Sequence, residues 1–131
     1  MKLVYVDTSA LAKVVKAESG SNEMIAIWSN PELTIVSSAL TITELLRAAK
    51  RHGLKEVRDA QQVLAGLVTV AVSREILSQA GLLDPELMSS LDSIHLATAL
   101  AIGSDLYMFV TSDERLGTAA EAHGLEVEFP S

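Results

Sequence analysis

Short apolar runs alternate along the chain with longer stretches in which apolar residues recur every three or four positions. Leu3 to Val6 is the first run, halted at Asp7, and reads as a strand buried on both faces. From Ser9 to Ala17 the positions Leu11, Val14 and Val15 take a helical spacing, with Gly20 placed to end it. Asn22 to Ser29 predicts a second short helix closed by Asn30-Pro31, and Leu33 to Val36 a second buried strand. Ile42, Leu45, Leu46 and Ala49 mark an amphipathic helix over Thr41 to Lys50, ended by Gly53. Val57, Ala60, Leu64 and Leu67 line one face of the next helix, Leu54 to Leu67. Leu67 to Val72 predicts a third strand, and Ser73 caps a helix that runs to Leu82 before the loop at Asp84-Pro85. Leu91 to Ile102 is apolar nearly all round, which predicts a central, buried helix. A fourth strand over Leu106 to Val110, a helix over Asp113 to Ala122 and an edge strand over Leu125 to Phe129 complete the pattern.

Apolar strands separated by helices imply a sheet covered on both sides. The expected fold is α/β: a three-layer α/β/α sandwich with a central, mostly parallel sheet of 4–5 strands and right-handed crossovers. At 131 residues the chain is expected to form a single domain over 1–131. In such folds ligands bind outside the carboxyl ends of the strands, which directs attention to the residues that follow each strand.

Composition narrows the chemistry. Hydrophobic residues make up 49% of the chain, which excludes intrinsic disorder. There is no cysteine, which excludes a disulfide scaffold, cysteine-ligated zinc and thiol nucleophiles. No run approaches the length of about 18 apolar residues that a membrane span needs, and Asp7 interrupts the N-terminus before a signal-peptide core can form. A cytoplasmic protein without a membrane partner is the expectation. The formal net charge of −7 sits awkwardly with a nucleic-acid partner. Yet five of the ten Lys and Arg residues, Arg47, Lys50, Arg51, Lys55 and Arg58, fall in a single stretch.

Four carboxylates stand out, and each has an ordinary structural explanation. Asp7, after the first strand, is a good N-cap. Asp113 lies in Thr111-Ser112-Asp113-Glu114, where Thr111 and Glu114 have capping-box spacing. Glu44 closes a second such box from Thr41, and Asp92 sits in a first helical turn, where the macrodipole favours negative charge. Together they carry more. Asp7 and Asp113 follow strands at the ligand-binding edge, Asp92 begins a helix that must pack on the sheet, and no Lys or Arg lies near Asp7 or Asp92 in sequence. Two carboxylates about 5 Å apart repel by roughly 3 kcal/mol at an effective dielectric of about 20. A divalent cation relieves that repulsion, and an oxygen-only donor set suits Mg²⁺ or Mn²⁺.

Four stretches then carry a resemblance: Asp7-Thr8-Ser9-Ala10-Leu11, Thr43-Glu44-Leu45-Leu46-Arg47, Leu91-Asp92-Ser93-Ile94-His95-Leu96-Ala97-Thr98-Ala99 and Thr111-Ser112-Asp113-Glu114-Arg115-Leu116. In order and spacing they resemble the motifs of PIN-domain ribonucleases, specifically the VapC-type toxins of toxin–antitoxin pairs. The resemblance implies an endoribonuclease dependent on Mg²⁺ or Mn²⁺, with Asp7, Glu44, Asp92 and Asp113 as catalytic and metal-binding residues. Asp7 and Asp92 would be the direct metal ligands, Glu44 and Asp113 would act through bound water or a second metal, and Ser9 and Thr111 would give polar support. It also implies an RNA substrate, a cognate antitoxin that occludes the acidic site, and a homodimer.

The remaining residues are weighed against that reading. His95, one turn after Asp92, is read as an inward-facing histidine that satisfies a hydrogen bond, and His52 and His123 as helix-end residues. The basic stretch is either a solvated face with pairs such as Lys55–Asp59 or a contact for RNA or antitoxin through Arg47, Lys50, Arg51 and Lys55. A phosphoaspartate enzyme of similar topology lacks support, because a phosphatase of that kind needs D-x-D where the third position here is Ser9. The non-enzymatic alternative is a PIN-fold RNA-binding or scaffold module.

Overall fold

The computed structural model describes residues 1–131. Its elements follow in the order β1 (Lys2–Val6), α1 (Thr8–Val15), α2 (Ser21–Ser29), β2 (Leu33–Ser38), α3 (Leu40–Lys50), α4 (Leu54–Ala65), β3 (Val68–Val70), α5 (Arg74–Ala80), α6 (Ser90–Ile102), β4 (Leu106–Val110), α7 (Glu114–Ala122) and β5 (Val127–Glu128). The five strands form one sheet in the order β3-β2-β1-β4-β5, and every neighbouring pair is parallel.

Alternation of side chains along β1 divides the core into two layers. Val4 and Val6 pack with Ala10, Leu11 and Val15 of α1, Met24 of α2, Leu45 and Ala49 of α3, and Ala60 and Val63 of α4. Tyr5, between them, faces the other way with Phe109, under Leu96 and Ala99 of α6 and Leu116, Ala119 and Ala120 of α7. The sandwich is therefore three-layered, as the apolar strands imply. The α6 helix is central, with His95 to Ala99 all buried.

Every expected element is present, and the differences lie at the ends. The β2 strand continues beyond Val36 through Ser37 and Ser38, two polar residues that are fully buried. Their hydroxyls find partners in Thr41 Oγ1 (2.7 Å) and the Leu40 N–H (3.1 Å), so burial costs little. The outer strands are shorter than the apolar runs suggest: β3 keeps three residues and β5 two. Each has a partner on one side only, and pairing stops where that partner stops.

The chain order places a switch point at the centre of the sheet. From β1 it moves outward to β2 and β3, then returns to the opposite side of β1 for β4 and β5. Ligand crevices in parallel sheets open at such a reversal, beyond the carboxyl ends of the two central strands. Here those ends carry Asp7 and Thr111-Ser112-Asp113.

A carboxylate cleft as candidate metal centre

The parallel register sets Val6 opposite Val110, so Asp7 emerges beside Thr111, and the Asp7 N–H donates to the Val110 carbonyl (3.1 Å). Asp7 is only 3% exposed. It caps α1 by accepting from the Ala10 N–H (3.0 Å). It also accepts from the hydroxyls of Ser9 (2.8 Å) and, from across the sheet, Thr111 (2.6 Å). Burial raises the Asp7 carboxyl above the ordinary aspartate range, and these three donors only partly offset it. No Lys or Arg pairs with it.

Thr111 links Asp7 to Asp113. Its Oγ1 donates to Asp7 and accepts the Asp113 N–H (3.0 Å). Asp113 caps α7, and both cap bonds, from Arg115 N–H (2.9 Å) and Leu116 N–H (3.2 Å), end on Oδ1. The capping box from Thr111 to Glu114 therefore does not form, because the helix starts two residues later than that spacing requires. Between the two, Ser112 holds the one buried side-chain oxygen without a partner in the protein.

Glu44 has no capping role. The α3 helix is entered through Ala39, which places Thr41 and Glu44 inside it. The Thr41 hydroxyl is instead buried against Ser37 and Thr8. Half-buried, Glu44 accepts on Oε1 from Thr8 Oγ1 (2.7 Å) and from His95 Nε2 (2.8 Å). Burial by itself would raise its carboxyl, but the hydrogen bonds from His95 and Thr8, with the imidazole's proximity, bring it below the ordinary range. His95 faces inward, as expected, and its partner is this site carboxylate. Sequence reasoning does not single out Thr8 or Tyr5. Thr8 is visible only as the neighbour of Asp7, and the Tyr5 hydroxyl is hidden within an apolar strand.

Asp92 lies in the first turn of α6, where the Ser89 hydroxyl caps the helix at the Asp92 N–H (3.2 Å). Its carboxyl is raised by burial first and by the charge of Asp113 second, with Glu44 adding to the effect. Asp92 and Asp113 line the same groove, of about 1140 Å³, between the 84–92 segment and α7. The four acids thus come from four separate elements: Asp7 and Asp113 are linked through Thr111, Glu44 is bonded to Thr8 beside Asp7, and Asp92 shares a groove with Asp113. The ion pairs of the whole chain are Lys13–Glu18, Lys55–Asp59 and Glu44–His95, so no Lys or Arg is ion-paired to Asp7, Asp92 or Asp113, although Arg115 lines the same groove as Asp92 and Asp113.

The donor set fits a hard divalent cation. It offers carboxylate and hydroxyl oxygens, no thiolate, and an imidazole already bonded to Glu44. No three of the His, Asp and Glu side chains come together as a ready-made metal-binding group.

The basic stretch begins on the same helix as Glu44. Arg47 on α3 and Arg51 at its C-terminal cap follow it at three and seven residues, and both are exposed, as are Lys50 and Lys55. Lys55 is bonded to Asp59 (2.7 Å). No helix is long and apolar enough to cross a membrane.

Comparison with known proteins agrees with this geometry. The PIN domain profile matches residues 4–122. Ribonuclease VapC46 of Mycobacterium tuberculosis is 35% identical over 131 residues, the full length of both chains. Ribonuclease VapC35 of the same species is 39% identical, over 98% of this chain and 97% of its own. Among solved structures, the Mycobacterium tuberculosis toxin VapC20, described as cleaving the sarcin–ricin loop, superposes with a TM-score of 0.73 at 18% identity, covering 93% of this chain and 95% of that one. A toxin–antitoxin complex from Klebsiella pneumoniae matches with a TM-score of 0.70 at 21% identity over 98% of each chain.

Proposed function

Because this chain belongs to the PIN-domain family of VapC ribonucleases, we infer that it is a metal-dependent endoribonuclease and the toxin of a toxin–antitoxin pair. The observation that supports the assignment to this cleft is the set of acids at the β1/β4 switch point, of which Asp7, Asp92 and Asp113 are not ion-paired to any Lys or Arg. Asp7, Glu44, Asp92 and Asp113 are the proposed catalytic and metal-binding residues, and Mg²⁺ or Mn²⁺ the proposed ion. Asp7 and Asp92 are assigned as the direct ligands, and Glu44 and Asp113 as ligands through water. Bound there, the cation would lower the pKa of a coordinated water and neutralise charge growing on the scissile phosphate.

The chain's own residues prepare that chemistry. Ser9 and Thr111 hold both Asp7 oxygens in place. Thr8 and His95 fix Glu44 through Oε1 alone, and the α7 N–H groups fix Asp113 through Oδ1. In each of the last two carboxylates the second oxygen is free of these bonds. The exposed stripe of Arg47, Lys50 and Arg51, with Lys55 beyond it, is proposed to contact RNA phosphates or an acidic antitoxin segment. We propose further that residues 1–131 form one domain, that the protein acts in the cytoplasm as a homodimer, and that a cognate antitoxin covers the cleft.

Cleavage of single-stranded RNA by purified protein tests the reading. Activity should appear with Mg²⁺ or Mn²⁺, vanish with EDTA, return on adding excess metal, and fall at least 100-fold in Asp7→Asn. RNA binding without cleavage under all these conditions would favour the scaffold alternative.

A further inference from the structure

One chain of hydrogen bonds runs from the core of the sheet to the cleft and uses groups that the proposed metal site does not need as ligands. Tyr5 is fully buried, its ring stacked on Phe109 at 5.2 Å between centroids. Its Oη accepts the Ser38 N–H (3.2 Å) and lies 2.7 Å from His95 Nδ1. Across the imidazole, Nε2 lies 2.8 Å from Glu44 Oε1. Burial holds the Tyr5 hydroxyl well above the usual phenol range, so it keeps its proton. One lone pair of Oη takes the Ser38 N–H, which leaves the hydroxyl proton available to Nδ1. Nε2 faces a carboxylate, which accepts, so Nε2 carries the N–H, and in the neutral ring Nδ1 is the nitrogen left to accept from Tyr5.

The topology explains why such a link is needed. Glu44 rides on α3 and His95 on α6, helices on opposite faces of the sheet. Their side chains meet over the ends of the strands, where no backbone pairing fixes their relative position. Tyr5 belongs to the central strand of the sheet and reports the position of the sheet to both.

We propose that Tyr5 and His95 form a positioning relay: Tyr5 selects the Nε2–H tautomer of His95, and that tautomer clamps Glu44 by Oε1 so that Oε2 is presented to the cleft. The inference rests on the ribonuclease reading for its catalytic consequence, but the tautomer itself is independent of it. His95 is a positioning residue acting through Glu44, and Tyr5 acts through His95.

Three measurements on the full-length protein test the relay. In the metal-free wild type, the imidazole nitrogen chemical shifts of His95 should show a pyrrole-type Nε2 and a pyridine-type Nδ1. The opposite assignment overturns the proposal. Tyr5→Phe keeps the stacked ring and removes the hydroxyl. It should shift the His95 population toward the Nδ1–H tautomer and lower kcat for RNA cleavage by about 10- to 100-fold with KM unchanged, as loss of an outer-shell partner does. The third measurement compares His95→Gln, whose amide N–H can replace Nε2–H, with His95→Leu, which offers no donor. His95→Gln should retain several-fold more kcat than His95→Leu at equal melting temperature, and equal loss in both overturns the relay. Should Tyr5→Phe fail to fold, the wild-type nitrogen shifts and the Gln/Leu pair still decide. A wild type that cleaves no RNA refutes the ribonuclease reading and the catalytic role with it. An active wild type with a pyrrole-type Nδ1 refutes the relay alone.

Discussion

Single residues in this cleft serve two ends at once. Asp7 and Asp113 are the helix caps that their positions suggest, and they are also the acids that the switch point presents. A cap bond occupies part of a carboxylate and leaves the rest available, so the two explanations do not compete. Asp92 has only Ser89 and the nearby His95 to offset burial and the charges of Asp113 and Glu44, and its raised carboxyl means that ionisation is less favourable in the folded state than in the unfolded chain. The sign follows by linkage: its stabilising contribution is complete below the ordinary aspartate value of about 3.9 and is lost as pH rises through the raised folded value. Asp92→Asn should therefore raise the melting temperature of the metal-free protein at neutral pH. The group is partly solvated and its repulsion screened, so the gain should be about 1–3 °C. It should shrink as pH falls and be absent below about pH 4, while stabilisation by added Mn²⁺ is reduced. Scanning calorimetry from pH 4 to 8 checks this, and a destabilised variant at pH 7 would identify Asp92 as a structural cap. Glu44 has the reverse sign: its contribution is present at neutral pH and lost as pH falls through its depressed value.

Among the elements, α7 shows how packing overrides local preference. Gly117 sits inside this helix, where Ala would ordinarily be better by about 1 kcal/mol. A Cβ at Gly117 would penetrate the ring edge of Phe129 and stand 3.3 Å from Thr111 Cγ2. The same helix thus lets the segment after β5 close under it and leaves Thr111 undisturbed against Asp7. Gly117→Ala should destabilise by about 1–3 kcal/mol despite its higher helix propensity, as measured by urea denaturation, and Phe129→Leu in the same chain should recover part of the loss. A neutral or stabilising Gly117→Ala would show that Phe129 swings aside freely. The elements themselves were legible because apolar spacing differs between buried strands and helices. Ser37 and Ser38 were not, since their polar side chains conceal a strand whose hydrogen bonds are completed from α3.

Over the whole molecule, a net charge of −7 and an RNA substrate are reconciled by distribution. Asp7, Asp92 and Asp113, none of them ion-paired to a Lys or Arg, lie at one end of the sheet, where a divalent cation would lower the local negative charge. The exposed Arg47 and, at the C-terminal cap of α3, Arg51 follow Glu44 by three and seven residues. Reversal of Lys50, Arg51 and Lys55 to Glu should weaken RNA binding and flatten its dependence on salt. The slope of log K against log salt should change by about 0.7 for each single-strand phosphate that the variant ceases to neutralise. Filter binding across a salt series measures it, and an unchanged slope would assign the stretch to protein contacts or to solvent.

The sequence by itself determined the α/β class, the succession of elements and the central place of α6, because these follow from local periodicity and from residue types at strand and helix ends. Only the tertiary structure decided which hydroxyl meets which carboxylate. Thr111 reaches Asp7, Thr8 reaches Glu44, and His95 joins Glu44 to Tyr5, across separations of 104, 36, 51 and 90 residues. Such pairings depend on strand order and register, which a one-dimensional pattern does not encode: residues far apart in sequence become neighbours only when β4 returns to lie beside β1.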